Sequence, residues 1–156
     1  MRSIVFVLGA AFAAGMAYML TLAATFTLYG ALYGPWDADV IRAGWMIWAA
    51  VSTLPYAVAG LYARANKYGR ARTAWTAAFV SPVAEKAAIF GIGALFVAAG
   101  GDGDGNGIVT AEAVFGFVRA EALPYFTPAY CLWGTLLGAC CFMAAYAWPK
   151  RGTEGN

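Results

Sequence analysis

Apolar residues fill four long stretches of this chain, and short polar segments separate them. The first stretch is free of charged residues, and its length is about twice that of the apolar core of a signal peptide, which favours a membrane span. A helix needs about 20 apolar residues to cross a bilayer. The pattern therefore predicts an all-α integral membrane protein, a single domain over residues 1–156, with four transmembrane helices over about residues 3–32, 43–63, 82–100 and 128–148.

The start of the third span has two interpretations. A span over residues 73–100 places Glu85 and Lys86 near its middle, whereas a span from Pro82 takes Ser81 as its N-cap. A charged residue at the bilayer centre costs about 2.5–3.5 kcal/mol, and adjacent helix positions do not face each other. We therefore favour the start at Pro82, with Lys86 extending to the lipid headgroups. In the longer alternative, Glu85 is a functional candidate.

Pro55 lies in the middle of the second span and predicts a kink there. Ser52 and Thr53 lie within one turn of it, and their hydroxyls can satisfy carbonyls that the proline frees. A kinked polar turn is also compatible with a substrate path. The candidate residues for transport are therefore Pro55, Glu85 and Lys86.

Small residues recur every four positions on two of the predicted spans. The first span carries such a stripe at Gly9, Ala13, Ala17, Thr21 and Thr25. In the fourth span, Gly134 and Gly138 form a GxxxG pair. Because small residues let helix backbones approach closely, we expect both faces to pack against helices of this chain, of a second copy or of other subunits.

Composition agrees with a lipid environment. Hydrophobic residues make up 62% of the chain and charged residues 12%, too few to cover a surface that faces water on all sides. Histidine is absent, which excludes imidazole-ligated metals and histidine-based acid–base chemistry. All three cysteines lie in the fourth span without a CxxC pair, and we expect them to be packing residues.

Charge is distributed unequally between the two ends of the predicted spans. With four spans, eight of the ten cations lie on the side of the two termini, and six of the eight acids lie opposite. The positive-inside rule then predicts an N-in, C-in protein of the bacterial inner membrane, with its acidic loops outside the cytoplasm. We expect anionic lipid headgroups, rather than nucleic acid, to contact the basic residues Arg64, Lys67, Arg70 and Arg72.

Residues 101–123 form the longest polar connection, an outer loop followed by a short amphipathic helix that we expect at the membrane interface before the fourth span. Its loop, DGDGNGIVTAEA, resembles the calcium loop of the EF-hand family, with Gly107 at the turn position. The twelfth position, where the family has a bidentate glutamate, is Ala113, and Glu112 lies one place earlier. The resemblance implies a weak Ca²⁺ site; the alternative is a glycine-rich turn. The implied ligand residues are Asp102, Asp104, Asn106, Ile108, Thr110 and Glu112.

Three classes of function fit these observations. With Glu85 and Lys86 at the membrane boundary, we favour a non-catalytic accessory or structural subunit that packs against other membrane proteins or against itself. The alternative is a small oligomeric transporter or channel that uses the Pro55 kink and Glu85. An enzyme is the least favoured class, because the sequence shows no nucleophile–base pair, and no cofactor besides Ca²⁺ is implied.

Overall fold

The computed structural model describes residues 2–66, 70–100 and 108–148. Within these ranges the chain is helical and has no strand. A 3-10 turn over Trp36–Asp39 precedes the second helix, and a π-helical turn over Val118–Ala122 follows the fourth. The α-helices are α1 (Arg2–Tyr33), α2 (Val40–Ala65), α3 (Ala71–Ala98), α4 (Ala111–Phe117) and α5 (Pro128–Ala147).

Four of these helices are long and apolar enough to cross a membrane. They are α1, α2, α3 and α5, with 32, 26, 28 and 20 residues. Large apolar side chains remain exposed along them, which suits contact with lipid rather than with water. The sequence-based prediction of an all-helical fold with four helices of membrane-spanning length and composition is confirmed, and these helices suggest a multi-pass membrane protein.

The ends of the long helices follow from local sequence. Gly34 stops α1 because its φ of +86° lies in the left-handed region that glycine adopts without strain. The Asp39 carboxylate caps α2 by accepting a hydrogen bond of 3.0 Å from the Arg42 amide. Thr127 caps α5 in the same way, and Pro128 occupies the first turn as the Thr-Pro pair predicts.

Helices α2 and α5 run parallel to each other and pack closely against each other. Along α5, Gly134 faces Ser52 and Gly138 faces the Tyr56 ring. One turn further, a Cβ atom on Gly60 of α2 would come within 2.3 Å of the Phe142 carbonyl oxygen. Small residues at these positions therefore allow the two backbones to pack closely.

Helix α3 begins eleven residues before the predicted start. Ser81 does not cap a helix; its hydroxyl donates to the Ala77 carbonyl at 2.8 Å, and Pro82 lies inside α3. Both residues are buried against the neighbouring helices, and this packing outweighs the preference of Ser-Pro for a helix start. Lys86, expected to extend to headgroups, is buried instead, with 8% of its surface exposed.

Helix α4 packs against the second half of α3. Val114 of α4 and Val118 of the π-helical turn are buried over Gly93, where a Cβ atom would collide with both side chains. Ring contacts between Phe90 and Phe115 extend this interface at a centroid distance of 5.2 Å. Helix α4 and the π-helical turn thus lie against the bundle before α5 begins.

Candidate functional site

The ion pair between Glu85 and Lys86 is buried at mid-length of α3. At 1.5 Å per residue, Glu85 lies roughly 20 Å from either end of the helix. Its side chain is 8% exposed and that of Lys86 is 9% exposed. Two opposite charges are therefore held together inside the apolar bundle, away from both helix ends.

Three donors satisfy the Glu85 carboxylate. Tyr130 of α5 donates its hydroxyl to Oε1 at 2.7 Å. Tyr56 of α2 donates to Oε2 at 2.8 Å, and Lys86 Nζ donates to the same oxygen. Hydrogen bonds to an ionised group are stronger than neutral ones, and this set links α2, α3 and α5 through one side chain.

The two tyrosine rings also surround the Lys86 ammonium. Nζ lies 4.3 Å from the centroid of the Tyr130 ring and 5.7 Å from that of the Tyr56 ring. Both distances fall within the range of cation–π attraction, which strengthens where water is excluded. One carboxylate and two aromatic faces thus form a cage around an ammonium group; we call Glu85, Tyr56 and Tyr130 the ammonium cage.

The cage extends to α1 through a second pair of tyrosines. The hydroxyls of Tyr18 and Tyr125 lie 2.7 Å apart, so one donates to the other. The Tyr125 ring packs edge-on against Tyr130 at 5.3 Å. Tyr125 belongs to the connection before α5, and burial raises the pKa of its hydroxyl, which keeps it protonated. Side chains from every long helix therefore meet in this region.

Two prolines lie close to the cage. Pro55 directly precedes Tyr56 on α2, and Pro82 precedes Glu85 by less than one turn on α3. A proline inside a helix removes one backbone hydrogen bond and permits bending. Thr53 donates to the Ala49 carbonyl at 2.7 Å, but no hydrogen-bond partner satisfies the buried Ser52 hydroxyl within the described residues. Pro55 frees the carbonyl of Val51, four residues earlier, so neither hydroxyl satisfies it as predicted.

An aromatic groove adjoins the cage between the first turns of α2 and the start of α5. Its volume is about 430 Å³, and apolar side chains form most of its walls. Trp45 and Trp133 are both more than half exposed at this groove. Tyr125 and Tyr130 contribute to its walls, so Tyr130 belongs to both the groove and the cage.

The predicted packing residues differ in their burial. Gly134 and Gly138 are buried against α2, whereas Gly9, Ala13 and Ala17 are only half-buried. The most buried face of α1 carries Phe6, Ala10, Ala14 and Tyr18 instead. The predicted stripe thus flanks the contact face of α1 rather than forming its centre.

The predicted ion and lipid sites are only partly covered by the described residues. Asp102, Asp104 and Asn106 lie outside them, as does Lys67. Thr110 caps α4 by accepting a hydrogen bond of 3.1 Å from the Ala113 amide. Ile108, Glu112, Arg70 and Arg72 are exposed, and Arg64 is half-exposed. These residues are therefore accessible to solutes or headgroups, and the Ca²⁺ site stays a prediction.

Sequence reasoning missed the four tyrosines of this region. A signal was present, because Tyr18 and Tyr56 lie in the interior of predicted spans, far from the interfaces where tyrosine is common. A buried tyrosine hydroxyl needs a hydrogen-bond partner, so two such residues predict a polar partner on another helix.

Comparison with protein-family models, with curated proteins and with solved structures finds no match for this chain.

Proposed function

We propose that this protein is a small membrane transporter that conducts protons and whose working site is the ion pair Glu85–Lys86. The observation that carries the proposal is the position of this pair, buried midway along α3. Ionisable groups at that depth are costly, and in membrane proteins they commonly mark ion pathways or proton relays. One ground for the sequence-based preference for an accessory subunit was the placement of both charges at the membrane boundary.

Glu85 has the chemistry that an exchange site needs. In the present arrangement its carboxylate accepts from Lys86 and from two tyrosine hydroxyls. A proton or a transported cation that neutralises the carboxylate removes the main attraction for Lys86. The pair then separates, and bending at Pro55 and Pro82 gives α2 and α3 a route to a second arrangement.

Flux through reconstituted vesicles tests this proposal. Vesicles containing the wild-type protein are given a proton gradient, and an enclosed pH-sensitive dye reports proton uptake. We expect flux above that of empty vesicles, and we expect Glu85→Gln to abolish it because the amide cannot exchange a proton. Glu121→Gln is the matched control, since Glu121 is exposed and belongs to neither the cage nor the groove that adjoins it. Flux that is equal in wild type, Glu85→Gln and empty vesicles would refute the proposal.

A second candidate function is that of a non-catalytic accessory or structural subunit. The observation that favours it is the broad apolar face of α1, on which Leu8, Phe12, Met19 and Leu20 are all more than 60% exposed. Such a face suits lipid or the helices of partner subunits. Affinity purification from native membranes would then recover fixed partners, and Phe12→Ala with Leu20→Ala would release them.

For orientation, we propose that both termini face the cytoplasm of a bacterial inner membrane. The support is the basic segment between α2 and α3, with Arg64, Lys67, Arg70 and Arg72, against the acidic residues that follow α1 and α3. The outer loop would then meet extracellular Ca²⁺, where a weak site of about 10⁻⁴–10⁻³ M suffices. The ligands of that site would come from Asp102, Asp104, Asn106, Ile108, Thr110 and Glu112.

A further inference from the structure

Lys86 occupies a site that is built to hold a cation. Its ammonium contacts one carboxylate oxygen and lies over two tyrosine rings, and the side chain comes from the residue next to Glu85. The Lys86 side chain therefore fills the site as a ligand would, and it is not one of the residues that form the walls of the site. The walls are the ammonium cage, and each wall residue comes from a different helix: α2, α3 and α5.

The composition of the cage selects the kind of cation. Small hard ions such as Na⁺ or Mg²⁺ require a shell of oxygen ligands, whereas here much of the surface around the ammonium is aromatic ring. Ring faces attract weakly hydrated organic cations, and aromatic cages are known to recognise quaternary ammonium groups. The cage therefore favours a substituted ammonium over a metal ion.

The aromatic groove selects the rest of the ligand. It shares Tyr130 with the cage, and Tyr125 packs against that same ring. At about 430 Å³ it has the size of a small-molecule pocket, and Trp45, Trp48 and Trp133 provide apolar surface for rings or branched alkyl groups. A ligand that spans both parts carries a cationic head for the cage and a lipophilic body for the groove.

We propose that the ammonium cage and the aromatic groove together bind lipophilic organic cations, with Lys86 as a tethered competitor for the cationic head. This inference rests on the proposed transport function, because it names the substrate class of the same site. Binding of such a cation displaces the Lys86 ammonium from Glu85. In the resting arrangement the site is closed by its own lysine.

A binding measurement on the purified protein in detergent tests the inference with benzyltrimethylammonium, titrated by calorimetry and followed by tryptophan fluorescence. We expect weak binding to wild type and at least tenfold tighter binding to Lys86→Met. An internal competitor that fills the site more than nine-tenths of the time lowers the apparent affinity at least tenfold, and its removal restores that affinity. Glu85→Gln should abolish binding. Arg70→Met is the matched control, since Arg70 is an exposed cation outside the cage, and it should leave the affinity unchanged.

A second pair of variants keeps the inference testable if Lys86→Met does not fold. Tyr130→Phe retains the ring and should retain most of the binding, whereas Tyr130→Leu removes the ring and should abolish it. Neopentylbenzene, the uncharged analogue of the probe, should not compete. Equal binding to Tyr130→Phe and Tyr130→Leu, or binding that Glu85→Gln leaves intact, would overturn the inference.

The binding and flux experiments test different proposals, so a negative result in one does not decide the other. Benzyltrimethylammonium binding without proton flux keeps the cation site and refutes transport. Proton flux that depends on Glu85, without binding of the probe to any variant, keeps the transporter and refutes the substrate class.

Discussion

Glu85 and Lys86 are adjacent on α3, where helix geometry separates their side-chain directions, yet their charged groups meet. Both side chains are long enough to bend toward the same point, and the hydroxyls and rings of Tyr56 and Tyr130 hold that point in place. Removal of one member of a buried ion pair leaves the other charge unpaired, which is more costly than loss of the pair's own attraction. At the scale of single residues, Lys86 and the cage around it therefore act as one unit.

Gly60 and Gly91 offer a matched test of close packing between α2 and α5. Alanine at Gly60 places Cβ 2.3 Å from the Phe142 carbonyl oxygen, so the two helices must separate. We expect Gly60→Ala to lower the free energy of unfolding by about 1–3 kcal/mol, the usual cost of overpacking. Gly91→Ala meets no atom within 4 Å and should cost nothing. Thermal unfolding in detergent measures both, and an unchanged Gly60→Ala would contradict the helix contact.

The contacts of single residues could be predicted from sequence only in part. The Gly134–Gly138 spacing indicated a close-packing face on α5, and the structure places both residues against α2. The stripe of Gly9, Ala13 and Ala17 indicated the face of α1 less accurately. Alanine is small on every face of an alanine-rich helix, so spacing alone cannot distinguish the contact face from its neighbour.

At the scale of helices, a hydroxyl residue followed by proline occurs at a helix start in one place and inside a helix in another. Thr127-Pro128 begins α5, whereas Ser81-Pro82 lies inside α3. A hydroxyl before proline can cap a helix start, but it can also donate backward to a carbonyl, as Ser81 does to Ala77. The surroundings decide, because the segment before Ser81 is apolar and packs against the bundle, and the segment before Thr127 includes Pro124.

The cap of α5 predicts a measurable loss on mutation. Thr127→Ala removes the oxygen that accepts from the Tyr130 amide at 3.1 Å, and the expected loss is about 1 kcal/mol of stability. Thr127→Ser retains the oxygen and should keep the stability of wild type within a few tenths of a kcal/mol. Chemical or thermal unfolding distinguishes the two variants. Equal losses in both would show that the methyl group, rather than the cap, is responsible.

The proline of α3 predicts a separation of stability from transport. Pro82→Ala restores an amide donor inside α3, so stability should stay equal to wild type or rise by up to about 1 kcal/mol. If bending beside Glu85 is part of the transport cycle, the same variant should reduce proton flux in vesicles at least threefold. A variant that is both stable and fully active would show that α3 does not bend at Pro82.

At the scale of the whole molecule, hydropathy is sufficient to find the four helices of membrane-spanning length and insufficient to place the site. Apolar length alone predicted α1, α2 and α5 to within a few residues. The site depends on which faces of four helices meet, and Tyr18, Tyr56, Glu85 and Tyr130 are far apart in sequence. The cost of inserting two isolated charges into a bilayer was the reason for predicting Glu85 at the membrane boundary rather than at the centre of a span. In the structure, the pairing of Glu85 with Lys86 and the tyrosine donors reduce that cost.

The orientation of the whole bundle is tested by accessibility in intact cells. In a background with Cys131, Cys140 and Cys141 replaced by alanine, single cysteines are introduced at Ile108 and Arg70, both exposed. A membrane-impermeant maleimide should label the cysteine at position 108 in intact cells and the one at position 70 only after permeabilisation. The reverse pattern would place the basic segment outside the cytoplasm, against the positive-inside rule, and would remove the extracellular Ca²⁺ site from consideration. It would leave the ammonium cage intact, because that site lies midway between the two faces and does not depend on which of them is outside.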